Sequence, residues 1–502
     1  MLKILTASAD CYITNKIIQN GFRATDGNTG RAGTLDLFKL YDESTIVSES
    51  NPTELSRILV KFDLEPLRAL TSSVLDFTNM NVKFNMTDVY GGQTVPTNFT
   101  VSVLPLSRSF DEGFGRDLVE FQDLDTANWI TSSYVTSVDA WAITGSGAIG
   151  TLNDDSIDAI DFGDLGDGIV RLESTQLFRS GEENLLVDVS TVVSATLAGQ
   201  IPDCGFRVTF SGSQETDTKT RFVKRFISRH SVNATKVPRL IVRFDDSIQD
   251  DRENFYFNLS GSLFLNNYSR GIPANIVSGS ALEAIEGDDC MLLTLASGTF
   301  TQSYDVSQHS LGTNYVSGVY STAFAIPSNN ANLVEWIKAS GSAEFLEIWG
   351  SLDGTVAYLS SSLTISPIVP MASNRSQRRL EVSITNCRSS YEKWEKTRFR
   401  VYAFDYDEAD EYTASKVPIE AKSIMFKDMH YRIRDFNSGQ LATEFDTTYD
   451  STKMSTDSNG MYFDFYMDSL PPGRAYQVEV FIRDRGVDQI ITDVGAKFRV
   501  NA

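Results

Sequence analysis

The chain has 502 residues, 41% hydrophobic and 11% aromatic, which excludes both a disordered polypeptide and a single small core. Its 44 Lys and Arg stand against 66 Asp and Glu, a formal charge of −22 that opposes nucleic-acid backbones and anionic membranes at long range. No window approaches the 18 or so apolar residues of a membrane helix, and four scattered cysteines with three lone histidines give no close zinc-ligand pairs.

The amino terminus, Met1-Leu2-Lys3-Ile4-Leu5, carries too short an apolar run for a signal-peptide core and leads straight into strand-like sequence. This predicts folding in a cytoplasm, with the cysteines as isolated thiols. Residues 10–13 read as a first strand, followed by a loop holding Gly21, Gly27, Gly30 and Gly33 and a second strand around Leu35 and Leu37. In Glu54–Leu64, Ile58, Val60, Phe62 and Leu64 alternate with Arg57, Leu59, Lys61 and Asp63, the period-two pattern of a strand with one buried and one mostly wet face. Val82-Phe84-Met86 and Phe99-Val101-Val103 repeat it, with turn-formers Gly91-Gly92 and Pro96 between them. Short strands at close spacing predict an antiparallel sandwich.

The pattern weakens from about 118 to 170. Trp129 and Trp141 sit in a polar, Ser/Thr-rich stretch. They are the candidates for stacking on sugar rings, with core packing as the alternative. Asp154, Asp155, Asp158, Asp161, Asp164 and Asp167 follow within 14 residues. Such a run could hold a structural calcium ion, which takes six to eight oxygens, though the spacing is not that of an EF-hand; a solvated acidic loop is the alternative. Strand signals return at 185–189, 205–210, 221–227 and 238–244. Arg221, Lys224, Arg225, Arg229 and His230 form a local basic cluster, read as pairing with the acidic loop or with an acidic patch on a partner rather than with nucleic acid.

Ala7-Ser8-Ala9-Asp10-Cys11-Tyr12-Ile13, Leu35-Asp36-Leu37, Ser56–Leu64, Phe110-Asp111-Glu112-Gly113, Val187-Asp188-Val189-Ser190, Gly205-Phe206-Arg207-Val208 and Pro238–Val242 together resemble the disaggregatase-related-repeat domain. The resemblance covers about half the chain. It implies a jelly-roll-like β sandwich of carbohydrate-binding-module type, and a host glycan as a partner. Phe110 stands where the family often has Trp, and Glu112 reads as a turn residue.

Further on, residues 271–289 read as a linker and 290–407 as a second β domain, with an Asp353-Gly354 hairpin and a short helix at 331–339 with Asn330 as its N-cap. Residues 408–502 have the size of an immunoglobulin- or fibronectin-like domain. In its Leu470–Val480 stretch, Tyr476, Val478, Val480 and Ile482 are predicted to face a core and Phe481 to face outward as an interface residue. The predicted fold is all-β: a jelly-roll-like sandwich over 1–270, with an acidic insertion at 118–170, a second β domain and a C-terminal immunoglobulin-like domain.

The sequence lacks a nucleophile elbow, a Walker loop and an HExxH motif. A pair of glycosidase-type carboxylates needs only two acids of the 66, so composition alone leaves that open. The string of β domains resembles virion structural proteins of tailed bacteriophages. The expectation is a non-enzymatic, cofactor-free virion component of the tail, baseplate or neck, homo-oligomeric and bound to other virion proteins, without nucleic-acid or membrane insertion. The alternative is a carbohydrate-binding adhesin or receptor-binding protein, with a glycan-cleaving enzyme third.

Overall fold

The computed structural model describes the whole chain except residues 19–21, 42–52, 72–74, 77–78, 91–97, 135–137, 167, 281, 369–377 and 407–422. The turn-formers Gly91, Gly92 and Pro96 thus lie outside the described residues. The chain forms two compact units, one of Lys3–Ala69 with Phe77–Arg243, the other of Met1–Leu2, Leu70–Asp76 and Phe244–Ala502.

In the first unit the strands are β1 (Leu2–Thr14), β2 (Thr34–Tyr41), β3 (Thr53–Phe62), β4 (Asn81–Met86), β5 (Phe99–Pro105), β6 (Thr131–Tyr134), β7 (Val138–Ala140), β8 (Ile149–Thr151), β9 (Ala159–Asp164), β10 (Ile169–Arg171), β11 (Ser174–Phe178), β12 (Leu185–Asp188), β13 (Phe206–Phe210), β14 (Arg221–Ile227) and β15 (Arg239–Arg243). The order β11-β5-β13-β3-β1 continues through β1 into β15-β4-β12, and β2 joins β3 to β14. The β1–β3 pairing is antiparallel, with Asp10 opposite Val60 and Tyr12 opposite Ile58, and shifts register between Ala7 and Ala9. The two halves of this sheet close on one another: Phe62 of β3 and Phe206 of β13 meet Phe84 of β4, each at 5.4 Å between ring centroids. That is the apolar seam of a β sandwich.

The other face of β3 is not wet. Arg57 and Leu59 are buried. Leu59 joins Cys11, Ile13, Leu106, Phe110, Ala127, Trp129 and Trp141 in a second apolar cluster. The stretch after β5, where the strand pattern fades, forms an extra layer over the outside of the sheet. Sequence alternation cannot reveal this, because it reports the side chains of a strand and not what a distant segment lays on them.

In the second unit, the strands Gly261–Asn266, Asn314–Phe324, Phe300–Leu311, Met291–Ser297, Ala343–Gly350 and Ala357–Ile365 make one antiparallel sheet in that order. The segment after Asn254 bonds just beyond two of these strands, as Phe257 N donates to Ser366 O, after Ala357–Ile365, and Asn258 N to Ile326 O, after Asn314–Phe324. Phe255, Phe257, Leu263, Leu293 and Trp349 share one core with this sheet. Residues 255–266 belong with this core and not with the first sandwich, and the predicted linker 271–289 contains the paired short strands Val277–Ser278 and Glu283–Ala284. The helix is Val334–Ser340, and Leu333, not Asn330, occupies its N-cap position.

The last sandwich begins before its predicted start. Leu380–Ile384 pairs with Lys396–Asp405, which pairs with Gly460–Tyr466. The facing sheet runs Ser390–Glu392, Lys497–Asn501, Ala475–Asp484, Met429–Asp435. Residues 380–405 thus pass from the predicted second domain into the immunoglobulin-like one, because the alternation of Phe399, Val401 and Ala403 marks a buried face without naming the partner strand; the predicted boundary at 407 lies outside the described residues. Tyr476, Val478, Val480 and Ile482 are buried as predicted. The Tyr476 hydroxyl donates to Pro471 O at 2.7 Å, pinning the preceding turn. Phe481 does not face outward: it is 8% exposed. Phe445 and His430 cover it, at 5.6 and 6.0 Å between ring centroids.

Candidate functional site

β1 and the first residues after β14 bring Asp10, Arg229 and His230 together, and the Phe110–Gly113 turn adds Glu112. Glu112 receives the Asp10 backbone N–H at 2.9 Å, both arms of the Arg229 guanidinium (Nη2 at 2.6 Å) and His230 Nε2 at 3.2 Å. Asp10 Oδ2 accepts the Arg229 N–H at 2.6 Å, while Oδ1 is buried with no hydrogen-bond partner. Burial and the neighbouring Glu112 push the Asp10 carboxyl up to about 7 against the pull of Arg229. Burial acts on Glu112 in the same sense, but the Arg229 guanidinium and the Asp10 N–H outweigh it and hold this carboxyl below the usual range.

Asp10, Glu112 and His230 are the one group of three metal-type ligands within reach of each other among the described residues. Their chemistry is that of a filled ion pair. Glu112 Oε1 already takes three donors, and a cation there would meet the Arg229 guanidinium at contact distance. The Glu112–Arg229 ion pair and the Asp10 carboxylate oxygen that accepts the Arg229 backbone N–H tie β1, the 110–113 turn and the end of β14 together. By sequence Glu112 is a turn residue and His230 a lone histidine; 118 residues separate them, so only the strand order brings them together.

The predicted sugar platform is absent from the surface. Trp129 and Trp141 are 7% and 5% exposed. Trp141 Nε1 donates to Asn128 O at 2.9 Å, and Trp129 lies under Arg57. Their polar neighbours in sequence misled, since the apolar face that buries them belongs to β1 and β3.

Among the described residues the acidic run does not converge on a cation site. Asp158 is buried and accepts backbone N–H groups from Ala142, Ile143 and Ala148 at 2.8–3.0 Å, so it organises the loop itself. Asp154 and Asp164 accept N–H groups two residues on, from Ser156 and Gly166, and Asp155 is exposed. Asp161 is half-buried, and Asp167 lies outside the described residues. The basic cluster pairs internally but with other acids: Lys224 with Asp88, Arg225 with Asp36, Arg229 with Glu112.

The extra layer has a second character. Its inner side carries the two tryptophans; its outer side exposes Phe114 (69%), Phe121 (59%), Val119, Leu124, Ile130, Val138 and Ile143. No helix among the described residues is long and apolar enough to cross a membrane.

No family model matches this chain, and no curated protein matches it. Solved structures similar to it include the fibronectin(III)-like modules of Clostridium thermocellum CbhA, at 10% identity over 51% of this chain and 92% of that one, TM-score 0.14. Dimeric latent PorU from Porphyromonas gingivalis aligns at 10% identity over 100% of this chain and 34% of that one, TM-score 0.16. The N-terminal four Ig domains of Dscam1 isoform 9.44 align at 9% identity over 60% and 59%, TM-score 0.12. Scores this low bear on neither activity nor ligand.

Proposed function

We propose that the chain is a non-enzymatic structural component of a tailed-bacteriophage particle, at the tail, baseplate or neck, acting by docking onto other virion proteins and onto copies of itself. The observation that carries this reading is the set of large apolar side chains exposed between residues 114 and 143, in a layer anchored on the sandwich by two buried tryptophans. A series of β domains, in which the one convergent group of carboxylates and histidine among the described residues is held in an ion pair, suits a scaffold. The glycan-binding reading has lost its aromatic platform at Trp129 and Trp141.

Mass spectrometry of purified particles and immunogold labelling with antibody to this chain test the proposal. Detection at the tail, baseplate or neck is expected, and absence from every particle preparation overturns it. Phe114→Ser with Phe121→Ser separates docking from folding. The double variant is expected to melt close to the parent, as exposed substitutions usually shift stability by no more than about 0.5 kcal/mol each, yet to be missing from assembled particles.

A further inference from the structure

The six-stranded sheet of the second unit ends on one side at Gly261–Asn266 and on the other at Ala357–Ile365. Its two edges differ. Along Gly261–Asn266 the preceding segment takes up the outward backbone groups. Asp251 N donates to Ser262 O at 2.9 Å, Asp251 Oδ2 accepts the Ser262 N–H at 3.0 Å, and Phe264 O accepts from Arg252 Nη2 at 3.4 Å. Along Ala357–Ile365, among the described residues, no strand pairs with the outer side. Its far end alone is closed, where Ser366 N donates to Phe255 O at 3.1 Å. Leu359, Ser360, Ser361 and Ser362 are all exposed. An open row of strand N–H and C=O groups is a template for another strand, and edges are ordinarily blunted by charge, proline or a bulge. Leu359–Ile365 holds no charge and no proline, and the bulge falls before it, at Tyr358, since Trp349 lies opposite Leu359 and Gly350 opposite Ala357.

The hairpin that carries this edge is depleted of charge, the compositional mark of an interface core. In a chain that is 22% charged, Phe345–Ile368 contains Glu347 and Asp353 alone. Glu347 is buried against Arg252 at 2.7 Å, and Asp353 accepts the Ser351 hydroxyl and the Thr355 N–H within the turn. Leu346, Leu352, Val356, Leu359 and Ile368 are 40–57% exposed around it. The residue order indicates the occupant. Leu359-Ser360-Ser361-Ser362-Leu363 reads the same in both directions. An antiparallel copy turned about Ser361 sets Ser361 opposite Ser361 and Leu359 opposite Leu363, on the side of the sheet that carries Phe345 and Trp349. Each residue then meets one that shares its side and its hydrogen-bonding direction. The Tyr358 bulge of one copy and the closed end at Ser366 of the other bound the ladder.

We propose that the Leu359–Leu363 edge pairs antiparallel with the same edge of a second copy of this chain, forming a two-fold dimer in which two six-stranded sheets become continuous. This gives the self-association of the proposed function a surface, and it rests on the sheet edge rather than on the particle assignment. A monomeric chain found in particles overturns this inference alone, and a dimeric chain absent from them overturns that assignment alone.

Sedimentation velocity on the full chain from about 1 to 100 μM tests it, because a short ladder belongs at the weak end of specific interfaces, with Kd on the order of 10 μM. A monomer–dimer equilibrium is expected, shifted toward dimer by added salt, since each copy carries a formal charge of −22. Ser361 is exposed, so Ser361→Lys is expected to melt close to the parent and to weaken dimerisation by about tenfold or more, as two ammonium groups meet on the axis. Ser361→Cys should form a disulfide-linked dimer on oxidation, above the background of the parent. Ser360→Cys should not, since its counterpart would lie about 8 Å away, beyond the reach of a disulfide. A monomer at the highest concentration overturns the proposal, as does a dimer that Ser361→Lys leaves intact or that Ser361→Cys fails to cross-link.

Discussion

Asp10 is a carboxyl built to keep its proton near neutrality. Its pKa rises from 3.8 in the unfolded chain to about 7 in the fold, with burial the main cause. Between about pH 4 and 7 the native state therefore binds more protons at this site than the unfolded state, and stability falls as pH rises through that window. Asp10→Asn removes the effect while keeping an acceptor for the Arg229 N–H. Denaturant unfolding of both proteins across pH 4–7 is expected to show the variant gaining steadily on the parent toward pH 7. A second buried group depends on compensation. Glu215 takes both arms of Arg57, at 2.8 Å each, and the Thr209 hydroxyl, beside the fully buried Arg207, whose pKa burial and Arg57 bring down to about 9. Glu215→Gln leaves two buried cations short of a counter-charge, so a loss of about 3–5 kcal/mol is expected in chemical denaturation. None of these pairs was legible beforehand. Charged residues 158 apart in sequence become neighbours only through sheet order. The same limit explains Phe481, whose outward direction followed from strand alternation while its cover came from Phe445, outside the strand.

At the scale of elements, strands with strict alternation were legible and their coverings were not. β3 and β4 lie where the two-residue period placed them and β13 on its strand signal, whereas β1 begins at Leu2, eight residues before the strand read at 10–13; the Tyr476 strand buries the side chains its pattern named. The 106–160 layer escaped because it is built from turns, short strands and side-chain-to-backbone bonds, with Asp158 and Asn128 doing locally what a ladder does elsewhere. Its attachment rests on Trp129 and Trp141. Trp129→Ala is expected to cost about 3–5 kcal/mol by opening a cavity over Leu59 and Arg57, read by thermal melting. The loss should be accompanied by easier proteolysis within 106–160 while β1–β3 pairing survives.

At the scale of the molecule, two units share the chain unequally, since the second takes Leu70–Asp76 from between two stretches of the first. Leu75 is fully buried, and Asn314 Nδ2 donates to the carbonyls of Thr71 and Leu75 at 2.9 and 3.2 Å. A fragment starting at residue 244 lacks this segment. By differential scanning calorimetry it is expected to melt below the corresponding transition of the full chain, and Asn314→Ala in the full chain should move that transition in the same direction. On the ribosome the borrowed segment imposes a wait. Residues 70–76 leave the exit tunnel well before Asn314 is made, a gap of about 240 residues that translation at roughly 5–20 residues per second takes some 10–50 s to cover. For that interval the nascent chain carries Leu75 without its final shelter, so chaperone demand during synthesis should peak before the second unit emerges, and synonymous codons that slow elongation between 80 and 310 should lower the yield of correctly folded protein.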